Sequence, residues 1–240
     1  MMFRGIAASL LGLLVIACSA CGGGGGGSSP AAETTAAPAT AKKVVTIDAE
    51  GDSTYYGTQV INGETLRTEA NPPALLQQKF GTSVIVINSA KGGADVTQAL
   101  FGIAPRYADT MTTRIASDGA QLVLSNFAIN DSIRLSQEDY RNGLISWVNA
   151  VRNMGRTPVL EEPNPTCAPN VMRLDEYVTI LRDVASQQSV TLITQYDYIK
   201  SLPNWQGMLS DCIHPLDPLY AIKAQREYDV LAPIVATLAK

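Results

Sequence analysis

The sequence predicts an α/β fold: three layers, with a parallel, flavodoxin-like sheet between two layers of helices. Two observations carry this. From residue 43 onward, short branched runs alternate with longer amphipathic stretches, the pattern of repeated strand–helix units. One run, Ser83 to Ile87, is apolar without polar alternation, as strands buried on both faces are. In order, Val44 to Ile47 reads as a strand and Pro73 to Phe80 as a short helix with proline in its first turn. Ser83 to Ile87 is the second strand, Arg106 to Ser117 a helix, and Gln121 to Leu124 the third strand. Ser136 to Met154 is a helix that Ser136 can cap and Gly155 can stop. Thr157 to Leu160 is a strand, Val171 to Gln187 a helix, Val190 to Thr194 the last strand, and Leu216 to Ala239 mostly helix.

Composition excludes several classes. Hydrophobic residues make up 46% and charged residues 17%, too apolar and too weakly charged for a disordered chain. Four cysteines are too few for a disulfide-dense miniprotein. The net charge is −4 and no Lys/Arg run occurs, so nothing points to a phosphate backbone or a nucleic-acid partner. One histidine, no His-Glu-x-x-His and no Cys/His cluster leave no metal-ligand pattern, and no cofactor is implied.

The N-terminus reads as a leader. Arg4 precedes an apolar run from Gly5 to Ala17, shorter than the about 20 residues that span a bilayer as a helix. Val15-Ile16-Ala17-Cys18 resembles a bacterial lipobox, which implies cleavage after residue 17 and lipidation of Cys18. Cys21 is a poorer fit, because Cys18 would then occupy the aliphatic position. Glycines fill Gly22 to Gly27, and an Ala/Thr/Pro stretch runs to Lys42. This is a tether with a reach of roughly 25 Å, and no Gly-Lys-Ser/Thr phosphate loop is present. The expected organisation is a signal peptide over 1–17, a lipidated tether over 18–42 and one domain over 43–240. The expected location is the bacterial cell envelope, held to a membrane by lipid.

In parallel α/β sheets, sites lie at the carboxyl ends of the strands. Gly51-Asp52-Ser53 follows the first strand, Asn88 to Gly93 the second, and Ala128-Ile129-Asn130-Asp131 the third. Asp211-Cys212-Ile213-His214, near the C-terminus, holds the only histidine. Each is weak alone. Their order and placement together resemble the SGNH (GDSL) hydrolases over essentially all of 43–240. The resemblance implies the SGNH hydrolase fold, with Ser53 as nucleophile, His214 as base and Asp211 as its partner. It implies an oxyanion hole from the amides of Ser53 and Gly93 and the side chain of Asn130. Gly93 is preferred to Gly92 because it falls five residues after Asn88. The chain departs at Ala128, where the family has glycine, a residue free to adopt positive φ. No chemical group is lost there.

These residue types suit acyl transfer. A serine hydroxyl needs an adjacent base, neutral imidazole can serve, and a carboxylate on the other ring nitrogen fixes its tautomer. Asp52 is expected to hydrogen-bond the nucleophile turn, and Asp131 to cap a helix. The implied activity is carboxylic-ester hydrolysis through an acyl-enzyme. The rival readings are a glycan-binding lipoprotein without catalysis and an O-acyltransferase with the same triad. Acetylated glycan, lipid and short-chain ester are not separated as substrates. Tyr55, Tyr56 and Trp205 read equally as substrate-stacking or packing residues. The domain is expected to be a monomer. Cys167 follows the fourth strand and Cys212 lies within the catalytic block, so both belong at one edge of the sheet. In an oxidising envelope they are expected to form a disulfide.

Overall fold

The computed structural model describes residues 43–240. The leader and tether expected over 1–42, Cys18 included, lie outside the described residues. A five-stranded parallel sheet is built from β1 (Val45–Gly51), β4 (Val84–Asn88), β5 (Leu122–Asn126), β6 (Thr157–Glu161) and β7 (Thr191–Ile193). Its spatial order is β4-β1-β5-β6-β7, so the chain begins inside the sheet, crosses to one edge and then winds to the other. That is the expected flavodoxin-like order, with its reversal at β1.

Helices cover both faces. On one, α2 (Pro72–Phe80) and α9 (Asp217–Leu238) pack Leu76, Leu231 and Val235 against Val45, Ile47, Leu124 and Val159. On the other lie α3 (Val96–Phe101), α4 (Met111–Asp118), α6 (Gln137–Asn153) and α7 (Leu174–Gln187). There Ile115, Leu144, Trp147, Val148 and Leu181 enclose Val123 and Leu160. Ser136 caps α6 as expected, its hydroxyl accepting from the Asp139 amide. Among the described residues no helix is long and apolar enough to cross a membrane.

Two expectations are corrected, and one element was not expected. β4 is an edge strand, not a strand buried on both faces, and Ile85 is half exposed. The helix expected from Arg106 begins at Met111, where Thr110 caps it. Arg106 to Thr110 is a loop, exposed except for Tyr107, whose ring is buried in the core, and the turn before it is the short α3, held by an Asp95–Gln98 capping box. The unexpected element is a hairpin of β2 (Thr58–Ile61) and β3 (Glu64–Arg67), which follows the segment carrying Ser53. Its turn is Asn62-Gly63, both at positive φ, a strong two-residue hairpin signal visible in the sequence.

β1 also runs beyond the expected Ile47 and carries two acids inward, Asp48 and Glu50, both fully buried. Glu50 is paired to Arg114 of α4 at 2.6 Å. Burial pushes the Glu50 carboxyl up to about 8, helped by the charge of Asp48 and opposed by Arg114. Burial likewise pushes Asp48 up to about 6. The folded state therefore holds the Asp48 proton more tightly than the unfolded chain does. The associated stability is present below about pH 4 and is lost as pH rises through about 6. Asp48→Asn should flatten that loss, making the variant up to about 3 kcal/mol more stable relative to the parent at pH 8 than at pH 4. Urea midpoints at the two pH values measure this; an equal difference at both would show that Asp48 does not titrate in this way.

Candidate active site

The site is assembled where β1, β4 and β5 end. β1 stops at Gly51, and a Cβ there would lie 2.9 Å from Tyr55 Cβ and 3.1 Å from the Asn126 carbonyl oxygen. Only glycine lets the chain turn this tightly between β5 and the next helix. Asp52 then caps α1 (Ser53–Tyr56), its Oδ1 accepting from the Thr54 amide at 2.8 Å and the Thr54 hydroxyl at 2.9 Å. This is the turn-holding role expected of Asp52. Ser53 becomes the first helical residue, 9% exposed.

The triad candidates meet. His214 Nε2 is 2.8 Å from Ser53 Oγ, and His214 Nδ1 is 2.8 Å from Asp211 Oδ2. Asp211 Oδ1 also accepts from the backbone amides of Ile213 (3.1 Å) and His214 (2.8 Å). One carboxylate thus folds the loop and holds the ring. Burial works to raise the Asp211 pKa, but the hydrogen bonds and charge of His214 outweigh it and keep the carboxyl below its usual range.

The oxyanion candidates lie on neighbouring segments. Asn88 Nδ2 donates to the Tyr55 carbonyl at 3.1 Å, and the Lys91 amide donates to the Gly51 carbonyl at 3.0 Å. These bonds hold the loop after β4 against the turn that carries Ser53. Gly93, at φ +73°, is fixed by Arg134, which donates to its carbonyl. Among the described residues, the amides of Ser53 and Gly93 donate to no protein acceptor. Asn130 opens α5 (Ile129–Arg134), with its Nδ2 3.4 Å from Asp52 Oδ2. Ala128 before it has φ −177°, an extended value open to any residue, so alanine in place of glycine costs nothing in φ here. Asp131 caps, but for another helix: its buried carboxylate accepts from the Val96 amide of α3 at 2.9 Å.

Sequence reasoning missed the parts that hold His214. The Val60 amide of β2 donates to Ser210 Oγ at 3.0 Å, and the Ser210 amide to the His214 carbonyl at 2.8 Å. Gln59 Nε2 reaches Asp217 Oδ1 at 2.7 Å, and Tyr220 Oη donates to the Thr58 carbonyl. Tyr55 is core, not a stacking surface: it is fully buried, with Oη 2.5 Å from Glu161 Oε2. Lys223 Nζ lies 3.9 Å from that carboxylate's other oxygen, and buried Glu227 is raised well above its ordinary pKa by burial and then by the charge of Glu161. Tyr56 lies under the Arg67 guanidinium. Trp205 lines a cavity of about 280 Å³ beside the disulfide, with Thr166, Met172 and Tyr196.

A serine hydroxyl, an imidazole and a carboxylate stand in series at the carboxyl end of a parallel sheet, an arrangement suited to hydrolysis. The comparisons agree. A family model of GDSL-like lipases and acylhydrolases matches residues 49–222, and the chain belongs to that family of carboxylic-ester hydrolases. No curated protein matches the sequence. Similar solved structures include a carbohydrate acetylesterase family member from Sinorhizobium meliloti (18% identity, 81% of this chain and 99% of that one, TM-score 0.62). A lipase/acylhydrolase from Enterococcus faecalis is similar at 16% identity over 79% and 96% (TM-score 0.64). So is an acetylxylan esterase from Geobacillus stearothermophilus, at 16% over 80% and 95% (TM-score 0.60). At these identities the likeness is one of fold.

Cys167 and Cys212 are bonded, 45 residues apart with Cα atoms 4.7 Å apart. The Cys167 amide also donates to the Cys212 carbonyl at 2.9 Å. Cys212 stands between Asp211 and His214 at φ +66°, a left-handed conformation that a non-glycine residue holds only when its surroundings impose it. Replacing both cysteines by serine should lower stability by about 2–4 kcal/mol. It should also lower kcat by more than the unfolded fraction explains. Parallel denaturation and initial-rate measurements test this, and unchanged kcat in the folded variant would show that the bond does not position His214.

Proposed function

We propose that the chain hydrolyses carboxylic esters through a covalent acyl-enzyme on Ser53. The supporting observation is the His214 ring, 2.8 Å from Ser53 Oγ on one side and 2.8 Å from Asp211 on the other. With Nδ1–H donated to Asp211, Nε2 is left as an acceptor, and Ser53 donates its proton to it while Oγ attacks the ester carbonyl. The carbonyl π pair moves onto oxygen. The amides of Ser53 and Gly93 and the Asn130 side chain are the donors proposed for that oxyanion. As the tetrahedral intermediate collapses, the alkoxide leaves with the proton from His214. Water then attacks the acyl-enzyme, giving its proton to His214, and the acid departs as Ser53 recovers the proton. The acetylesterases among the similar structures make acetyl esters of glycans the first substrates to test.

Ser53→Ala should lower kcat on 4-nitrophenyl acetate by on the order of 10⁶ while the fold persists. Asn130→Ala should cost about 10²–10³ in kcat, the usual loss for one oxyanion donor. Parental turnover by a folded Ser53→Ala protein would refute the acyl-enzyme.

We further propose that the protein is anchored in a bacterial envelope through lipid on Cys18. Support comes from the lipobox-like Val15-Ile16-Ala17-Cys18 and from a disulfide suited to an oxidising compartment. In a bacterial host, the membrane-associated protein should begin at residue 18 and carry a diacylglyceryl mass. Cys18→Ala should release it from the membrane fraction. A mature mass without lipid would exclude the anchor.

A further inference from the structure

Arg106 has no place in the chemistry above, yet its guanidinium lies on the proposed oxyanion loop. A Cβ placed on Gly93 would sit 2.8 Å from Arg106 Nη2 and 3.1 Å from its Cζ. The absent side chain at Gly93 is the space the guanidinium uses. With ordinary backbone bond lengths, Nη2 is within about 5 Å of the Gly93 amide nitrogen. Arg106 is exposed, in the loop between α3 and α4. Among the described residues it makes no ion pair and no hydrogen bond. The other arginine at this loop, Arg134, is engaged by the Gly93 carbonyl and by Asp95 at 3.7 Å. Asp95 is itself occupied with the α3 N-terminus and the Thr97 hydroxyl. Arg106 is therefore a cation with vacant donors, lying beside Gly93 at the edge of the site in a protein whose net charge is negative.

We propose that Arg106 is a specificity residue that selects esters carrying a carboxylate near the scissile bond. This rests on the hydrolytic reading above and deepens it by naming a substrate class. The guanidinium fork matches a carboxylate in two parallel hydrogen bonds. Its distance from Gly93 sets the carboxylate on the order of 5–8 Å from the reacting carbonyl. A singly charged group suits this place better than a phosphate dianion, because the oxyanion forming nearby is itself negative and repulsion grows with charge. Two kinds of ester present such a group. One bears it on the alcohol, as an acylated acidic sugar does. The other bears it on the acyl chain, as a dicarboxylic half-ester does.

The test compares matched pairs: 4-acetoxybenzoate against its methyl ester for the alcohol arm, and 4-nitrophenyl hydrogen adipate against its methyl ester for the acyl arm. The readout is the ratio of kcat/KM, charged over neutral, in the full-length protein and its variants. In at least one arm, Arg106→Ala should lower the ratio about tenfold. Arg106→Lys should retain part of it, and Arg106→Glu should take it below the alanine value. Raising salt from 20 to 500 mM should lower the parental ratio and leave the alanine ratio flat. The arm that responds identifies which half of the ester carries the charge. Unchanged ratios in both arms, with neutral esters still turned over, would overturn the specificity role and leave the hydrolytic reading standing. An equal loss on charged and neutral esters would also overturn it, since Arg106 would then only support Gly93. Absence of turnover of any ester by the parent protein would instead refute the hydrolytic reading itself.

Discussion

The site depends first on the register of β1 between its two neighbours. Ala49 pairs with Asn88 and Gly51 with Asn126, so three strands leave the sheet at nearly the same height. Ser53, the loop to Gly93 and the segment to Asn130 then emerge side by side. A slip of one residue would turn the inward faces outward and separate these segments. The tight passage at Gly51 completes the arrangement. It brings α1 against the end of β5, where Thr54 Oγ1 reaches Asn126 Oδ1 at 3.1 Å. Ser53 is thus placed by backbone pairing, the part of a fold least free to drift.

His214 has no such support. It arrives on a loop between α8 (Tyr196–Lys200) and α9, about 20 residues beyond the last strand, and no ladder of the parallel sheet sets its height. The structure compensates with separate ties. Asp211 closes the turn on itself, Cys212 is bonded to the loop after β6, and β2 grips the segment that carries His214 on both sides, Val60 donating to Ser210 Oγ and Gln59 to the Pro215 carbonyl. The hairpin follows α1 directly, so the same stretch of chain fixes both partners of the Ser53–His214 contact. This explains why a two-stranded ribbon is kept beside the site, with β2 facing the protein and only β3 exposed.

Much of this was legible in the sequence. Branched runs gave the five strands, and the four blocks gave the residues that meet. The illegible parts have physical reasons. Asp48, Glu50 and Glu161 end strand patterns early because acids normally mark the surface, whereas here Arg114 partners Glu50 inside, Lys223 and Tyr55 partner Glu161, and Asp48 is buried with no hydrogen-bond partner among the described residues. β4 reads as doubly buried because its composition is apolar; only the topology shows that it has a neighbour on one side. The Asn62-Gly63 signal was present, but its strands are short and polar. The role of Arg106 could not be read at all, because its contact with Gly93 depends on two loops whose conformations no periodicity encodes.

The Asp52–Asn130 contact shows a compromise inside the proposed oxyanion hole. Asp52 Oδ2, 3.4 Å from Asn130 Nδ2, orients the amide, but a negative charge behind a donor opposes the negative charge forming in front of it. Burial pushes the Asp52 carboxyl upward, against the two hydrogen bonds from Thr54 and the charges of Lys223 and His214. Each influence acts on one side of the same balance. Burial weakens the adverse charge, while Lys223, enclosed beneath the turn that carries Ser53, offsets whatever charge remains. A buried lysine is costly in isolation. Here it faces Glu161 on one side and acts on Asp52 on the other, so the polar cluster under Tyr55 is electrostatically part of the site above it.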